Sequence, residues 1–174
     1  NTVFGGRFTS MLNTELRVKS GLTYGARSTI RRRSLPGSVV ISSFTETGTT
    51  VEAIDLALDV LEKFQRSGLD EDMLLSARNY IMGQFPPRLE TAPQIAAQLA
   101  MLEQYGLDAS YIDNYGAALE GATTDSVAAV IEEVYPSTDH LSFILSGNAA
   151  AIREAVTKYG PLTEMSIDAP RVRN

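Results

Sequence analysis

The sequence predicts an α+β fold, a two-layer sandwich with helices packed on one face of a mostly antiparallel sheet. Three observations predict it. Two β-rich runs lie close together near the start, helical spacing of apolar residues dominates the middle, and one short apolar run returns late. The 174 residues suit a single domain, and 44% hydrophobic against 21% charged residues is a globular composition.

The first element reads as a helix over about Gly6 to Ser20, with Phe8, Met11, Leu12, Leu16 and Lys19 near a 3.6 spacing and Gly21 placed as a left-handed C-terminal cap. Leu22 to Arg33 and Ser38 to Thr45 read as two strands separated by Leu35-Pro36-Gly37. From Thr50, Val51, Ile54, Leu58 and Leu61 form one apolar stripe, and Gly68 ends that helix. Asp70 caps the next helix, which Phe85-Pro86-Pro87 stops. Thr91-Ala-Pro-Gln94 has the form of a capping box and opens a third helix that closes at Gly106. Helices at about Ala109–Glu120 and Asp125–Val134 follow, then a strand at Leu141–Ser146, a helix at Ala149–Tyr159 and an edge strand at Glu164–Ile167.

Composition narrows the chemistry. There is no Cys, which removes disulfides, thiolate zinc sites and cysteine nucleophiles, and the single His, His140, rules out a self-contained zinc hydrolase site. The net charge of −6 is unevenly spread: seven basic residues stand against Glu15 and Glu46 in residues 1–50, a local +5, while the remainder carries −11. Such a split points either to two surfaces with different partners or to simply solvated acidic helices. An acidic chain without aromatic residues among its arginines is not expected to bind nucleic acid. No apolar stretch is long enough to span a membrane, and no signal peptide is visible. The chain opens on Asn1 and reads as a piece of something longer; the compartment is open, with a bacterial periplasm the favoured setting.

Common catalytic engines are missing. There is no Walker-type loop and no dinucleotide glycine motif. His140 beside Asp139 reads as a strand-end residue, and adjacent Glu132 and Glu133 read as a solvated helix face. Arg31-Arg32-Arg33 is the evident basic cluster; in an alternating strand Arg31 and Arg33 share a face and Arg32 opposes them. Arg27, Arg31 and Arg33 form a candidate electrostatic patch, or a charged hairpin edge that discourages aggregation.

One segment stands above this background. In Gly5 to Gly25, Arg17 falls in the last turn of a helix and Tyr24 at the start of the following strand, so the reversal at Gly21 could aim a permanent cation and a phenolic donor into one cleft. Alternatively, Arg17 caps its helix carbonyls and Tyr24 packs in the core.

The same segment, Gly5-Gly6, Thr9-Ser10, Leu12-Asn13, Leu16-Arg17, Lys19 and Gly21-Leu22-Thr23-Tyr24, closely resembles the C-terminal, non-zinc-binding domain of the insulinase/pitrilysin-type metallopeptidases, a family that includes mitochondrial processing peptidase subunits. The resemblance extends through Pro36-Gly37-Ser-Val-Val-Ile, the acidic-faced helix, Gly68-Leu-Asp-Glu-Asp and Leu145-Ser-Gly147. It implies that residues 1–174 are one such domain, lacking a first strand that would precede Asn1. It implies no metal ligand in this chain, zinc being held by an inverted His-x-x-Glu-His motif on another domain or subunit. It implies that Arg17 and Tyr24 bind substrate, Arg17 holding backbone carbonyls and Tyr24 acting as the catalytic oxyanion donor. The implied partners are a peptide in extended conformation and the zinc-bearing peptidase domain or subunit. The alternatives are a non-catalytic structural or assembly subunit of the same fold, or an unrelated small-ligand-binding α+β domain.

Overall fold

The two β-rich runs pair as an antiparallel hairpin, β1 (Ala26–Arg31) with β2 (Ser38–Ser43), in the register Ala26↔Ser43 through Arg31↔Ser38. The computed structural model describes residues 1–33, 35 and 37–168; Pro36 of the expected turn lies outside the described residues. Strand alternation gives the hairpin two unlike faces. Ala26, Ser28, Val39 and Ile41 turn toward the core, while Arg27, Thr29, Ser42 and Phe44 line an open cleft.

Helices cover the core face. A wide helical turn at Thr2–Gly6 leads to α1, which begins at Met11–Asn13 and continues with the same wider spacing over Thr14–Lys19. The long α2 (Thr50–Ser67) follows, with Ala53, Val60, Leu61 and Phe64 buried along one stripe. Of the expected stripe Val51, Ile54, Leu58 and Leu61 only Leu61 is buried and the other three are half-buried, so the helix turns a different side to the core. Next come α3 (Glu71–Gln84), α4 (Ala92–Tyr105), α5 (Ser110–Asp113), α6 (Tyr115–Glu120), α7 (Thr124–Val134) and α8 (Ala149–Val156). The expected caps form. Asp70 Oδ1 accepts from Met73 N–H at 2.7 Å, and Thr91 N–H donates to Gln94 Oε1 at 2.9 Å while Thr91 Oγ1 accepts from Gln94 N–H. Among the described residues no helix is long and apolar enough to cross a membrane.

The core centres on three rings from distant parts of the chain. Phe4 stacks on Phe64 at 4.9 Å between centroids, and Tyr135 meets both edge-on at 5.3 and 5.1 Å. Leu12, Leu16, Ala26, Val60, Leu61 and Ile131 complete the cluster. Each fully buried large apolar side chain here contributes roughly 1.5–3 kcal/mol. Gln65 of α2 strengthens the junction by donating to the carbonyls of Tyr135 and Pro136 at 3.1 and 2.9 Å.

Several expected elements differ. The first helix starts at Met11 rather than Gly6, because Ser10 caps it and Gly5 and Gly6 donate back to the carbonyl of Asn1. The first strand starts at Ala26 rather than Leu22. Before it, Thr23 Oγ1 exchanges hydrogen bonds with both backbone groups of Gly25, so a side chain replaces the ladder. The expected Ala109–Glu120 helix is broken into α5 and α6 at Asn114. Leu141–Ser146 and Glu164–Ile167 are not strands: among the described residues nothing pairs with either, and Ile144 is 93% exposed. Their apolar, β-prone composition suits a strand, but a strand also needs a neighbouring edge, which composition does not report.

Candidate functional site

The site is built by the end of α1. Within Thr14–Lys19 the backbone takes a wider spacing, Ser20 N–H reaching Glu15 O at 3.1 Å. Such turns shift side chains out of the ordinary 3.6-residue phase. Gly21 then takes φ +68, a left-handed reversal that suits glycine. Arg17 donates to none of the terminal carbonyls: Gly21 N–H donates to Arg17 O, while Thr23 N–H and Ser20 Oγ–H donate to Leu16 O. This removes the capping role that would have explained Arg17 structurally.

The Arg17 side chain instead lies between two rings, its Cζ 4.7 Å from the centroid of Phe8 and 4.7 Å from that of Tyr24. Tyr24 stacks in turn with Phe44 at 6.5 Å. At 74% exposed, Tyr24 is not a core residue. Among the described residues neither the Arg17 guanidinium nor the Tyr24 hydroxyl has a hydrogen-bond or ion-pair partner in the protein. A planar cation held flat by aromatic faces keeps its N–H edge available, and a neighbouring phenol adds a neutral donor.

These groups line a cleft of about 800 Å³. Its far side is Arg7, whose Nη1 donates to the carbonyl and Oγ of Ser76 at 3.1 and 3.0 Å and whose Cζ lies 5.9 Å from the Tyr80 ring, tying the site to α3. Asn13 fixes the near side. Its Nδ2 donates to Phe8 O at 2.7 Å and its Oδ1 accepts from Ala26 N–H at 3.3 Å, so one buried amide sets both the loop under Arg17 and the start of β1. Gly5 lets the first turn lie against β1; a Cβ there would collide with the backbone nitrogen and Cβ of Ser28. Beneath this contact Ser28 Oγ and Tyr135 OH both donate to Asn1 Oδ1, at 2.7 and 3.0 Å. Burial pushes the Tyr135 hydroxyl up to about 12, so it stays protonated as that donor.

The structure thus brings Arg17 and Tyr24 together and splits the candidate basic patch. Arg27 lines the cleft, with Nε donating to Ser42 Oγ at 3.4 Å. Arg31 shares its face of β1 but lies outside the cleft lining, and Arg33 lies beyond the strand. Among the described residues no Asp or Glu lines the cleft, leaving it positive. Phe8, expected in the apolar stripe of the first helix, is exposed in the loop before it. Phe8, Phe44, Asn13, Arg7 and Tyr80 were not identifiable as site residues from spacing. The one available signal was Ser10 as an N-cap, which places Phe8 outside the helix.

The described residues do not fit a zinc ion. Among the described residues no three His, Asp or Glu side chains come together, and His140 is exposed with Nδ1 2.9 Å from Ser137 Oγ.

A family model described as the peptidase M16 inactive domain matches residues 1–81. Among solved structures, a peptidase M16 inactive domain from Pseudomonas fluorescens is 25% identical with a TM-score of 0.72, covering 78% of this chain and 32% of that one. A protease from Helicobacter pylori is 19% identical with a TM-score of 0.67, covering 78% of this chain and 33% of that one. A Bordetella pertussis protein provisionally called a zinc protease shares the fold at 17% identity and a TM-score of 0.64, covering 77% of this chain and 74% of its own. The chain therefore spans about a third of the length of the first two. No curated protein matches the sequence.

Proposed function

We propose that this chain, whose residues 1–81 match the family model described as the peptidase M16 inactive domain, is the substrate-gripping part of a zinc-dependent peptidase whose metal is held by another domain or subunit. The observation that carries this reading is the pair Arg17 and Tyr24: both line the cleft, neither polar end has a hydrogen-bond or ion-pair partner among the described residues, Arg17 caps no helix carbonyl and Tyr24 is outside the core. Arg17, held between two rings, donates to backbone carbonyls of an extended peptide. Tyr24 donates to the carbonyl oxygen of the bond under attack as negative charge develops there. A donor already in place stabilises that charge without reorganisation, and losing one costs on the order of 10²–10³ in rate. When bound on its own domain, the zinc supplies the Lewis-acid chemistry; this chain supplies grip and the oxyanion contact.

The test is peptide hydrolysis by the protein containing this chain, assembled with its zinc-bearing domain or subunit. Arg17→Ala and Tyr24→Phe are each expected to lower kcat/KM by about 10²–10³. Wild-type rates in both variants would sink the assignment and leave a structural or assembly role.

A further inference from the structure

We propose that the cleft selects peptides carrying a carboxylate side chain two to three residues from the bond held at Tyr24, with Arg27 as its partner. This rests on the peptidase reading above. Among the described residues the cleft lining contains Arg7, Arg17 and Arg27 and no acidic residue, so a carboxylate entering this open cleft meets uncompensated positive charge. The chain's acidic side chains lie elsewhere; Glu52, Asp55 and Asp59 border a separate hollow on α2.

The three arginines are not equivalent. Arg7 is tied back against α3, its Nη1 donating to Ser76 and its Cζ near the Tyr80 ring, with Nε buried and unpartnered among the described residues, and Arg17 lies against Phe8 and Tyr24. Arg27 gives only its Nε, to Ser42 at 3.4 Å, and among the described residues its two terminal nitrogens have no protein partner. That is the edge a carboxylate takes in a two-bond fork.

Register gives the distance. Arg27 is three residues beyond Tyr24 and pairs with Ser42, on the strand that leads to Phe44, the stacking partner of Tyr24. Three residues of chain span roughly 10 Å, which an extended peptide also covers in about three residues. Arg31 lies four residues further along the same face, roughly 13 Å from Arg27, beyond the cleft lining. It attracts an acidic peptide without touching the selected side chain. Thr29, between them, is neutral.

The experiment uses the same assembled protein and matched fluorogenic peptides that differ only by Glu, Gln or Lys, scanned across three positions on each side of the cleaved bond. At one position two to three residues from that bond, Glu is expected to exceed Gln by about fivefold in kcat/KM, as for a partly exposed ion pair, and the ratio should shrink as salt rises. Arg27→Gln should bring the ratio to about one, Arg27→Lys should keep most of it, and Arg27→Glu should turn the preference toward Lys. A wild-type protein without the Glu preference, or a preference unchanged in Arg27→Gln, overturns the proposal. If no peptide is cleaved, the peptidase reading fails by itself. Fluorescence anisotropy with the labelled Glu and Gln peptides then scores the same ratio in binding: a ratio abolished by Arg27→Gln supports the proposal, and equal affinities overturn it.

Discussion

Residues 1–67 and residues 92–168 use their apolar side chains differently. In the first region Phe4, Leu12, Leu16, Val60, Leu61 and Phe64 converge on one cluster, joined from further along by buried Ile131 and Tyr135 and by half-buried Leu69, Val127 and Leu141. In the second, α4, α7 and α8 bury one residue each and α5 and α6 bury none, while Leu99 is 55% exposed and Ile144 almost wholly so. Amphipathic helices gain most of their stability from packing. The first region supplies that packing internally, whereas the second turns much of its apolar surface outward. Apart from Arg7's attachment to α3 and the Tyr80 ring, the cleft is made by the first region, and the family match ends shortly after it.

The sharpest way to break this comparison is to delete one apolar side chain from each region. Phe64→Ala should cost about 3–5 kcal/mol in urea unfolding, since it removes a ring stacked on Phe4 and edged by Tyr135. Leu99→Ser should change stability by no more than about 0.5 kcal/mol. Similar losses at both sites would mean that the helices after residue 92 are as tightly integrated as the first region.

A smaller effect tests whether the site depends on the first region's polar interior. Asn13→Ala leaves Ala26 N–H and Phe8 O without their partner and should cost about 1–3 kcal/mol. Because the loop under Arg17 is released as well, on the peptidase reading proposed above kcat/KM of the assembled protein should fall more than the folded fraction does. A variant that loses stability but keeps its activity per folded molecule would show that Asn13 does not position Phe8.

The smallest effect is confined to high pH. Tyr135 ordinarily titrates near 10.0 and is raised to about 12 in the fold by burial. Above pH 10 the unfolded chain loses this proton first and binds fewer protons than the folded one, so stability falls as pH rises from 10 toward 12 and is insensitive to this group below. Tyr135→Phe should flatten that part of the urea-midpoint profile; an unchanged slope would assign the alkaline loss to other groups.

What the sequence disclosed was mostly local. Asp70 and the Thr91–Gln94 box are short-range signals whose hydrogen bonds close within one turn, and they form as expected. The hairpin's alternation was legible too, because one side of a strand must be apolar when the other meets water. Arg17 and Tyr24 were legible as a pair through their spacing about Gly21. Their rings were not: Phe8 and Phe44 are separated by 35 intervening residues and meet only through the fold. Leu141–Ser146 failed for the same reason, since apolar content says that a segment tolerates pairing and says nothing of whether an edge lies beside it.

The close approach at Gly5 has a mechanical consequence. With less than a methyl group's thickness between the first turn and Ser28, the segment leading into α1 and the strand bearing Arg27 have no room to slide past each other. On the peptidase reading proposed above, a motion that admits a peptide therefore carries Arg27 together with the segment before α1 rather than parting them.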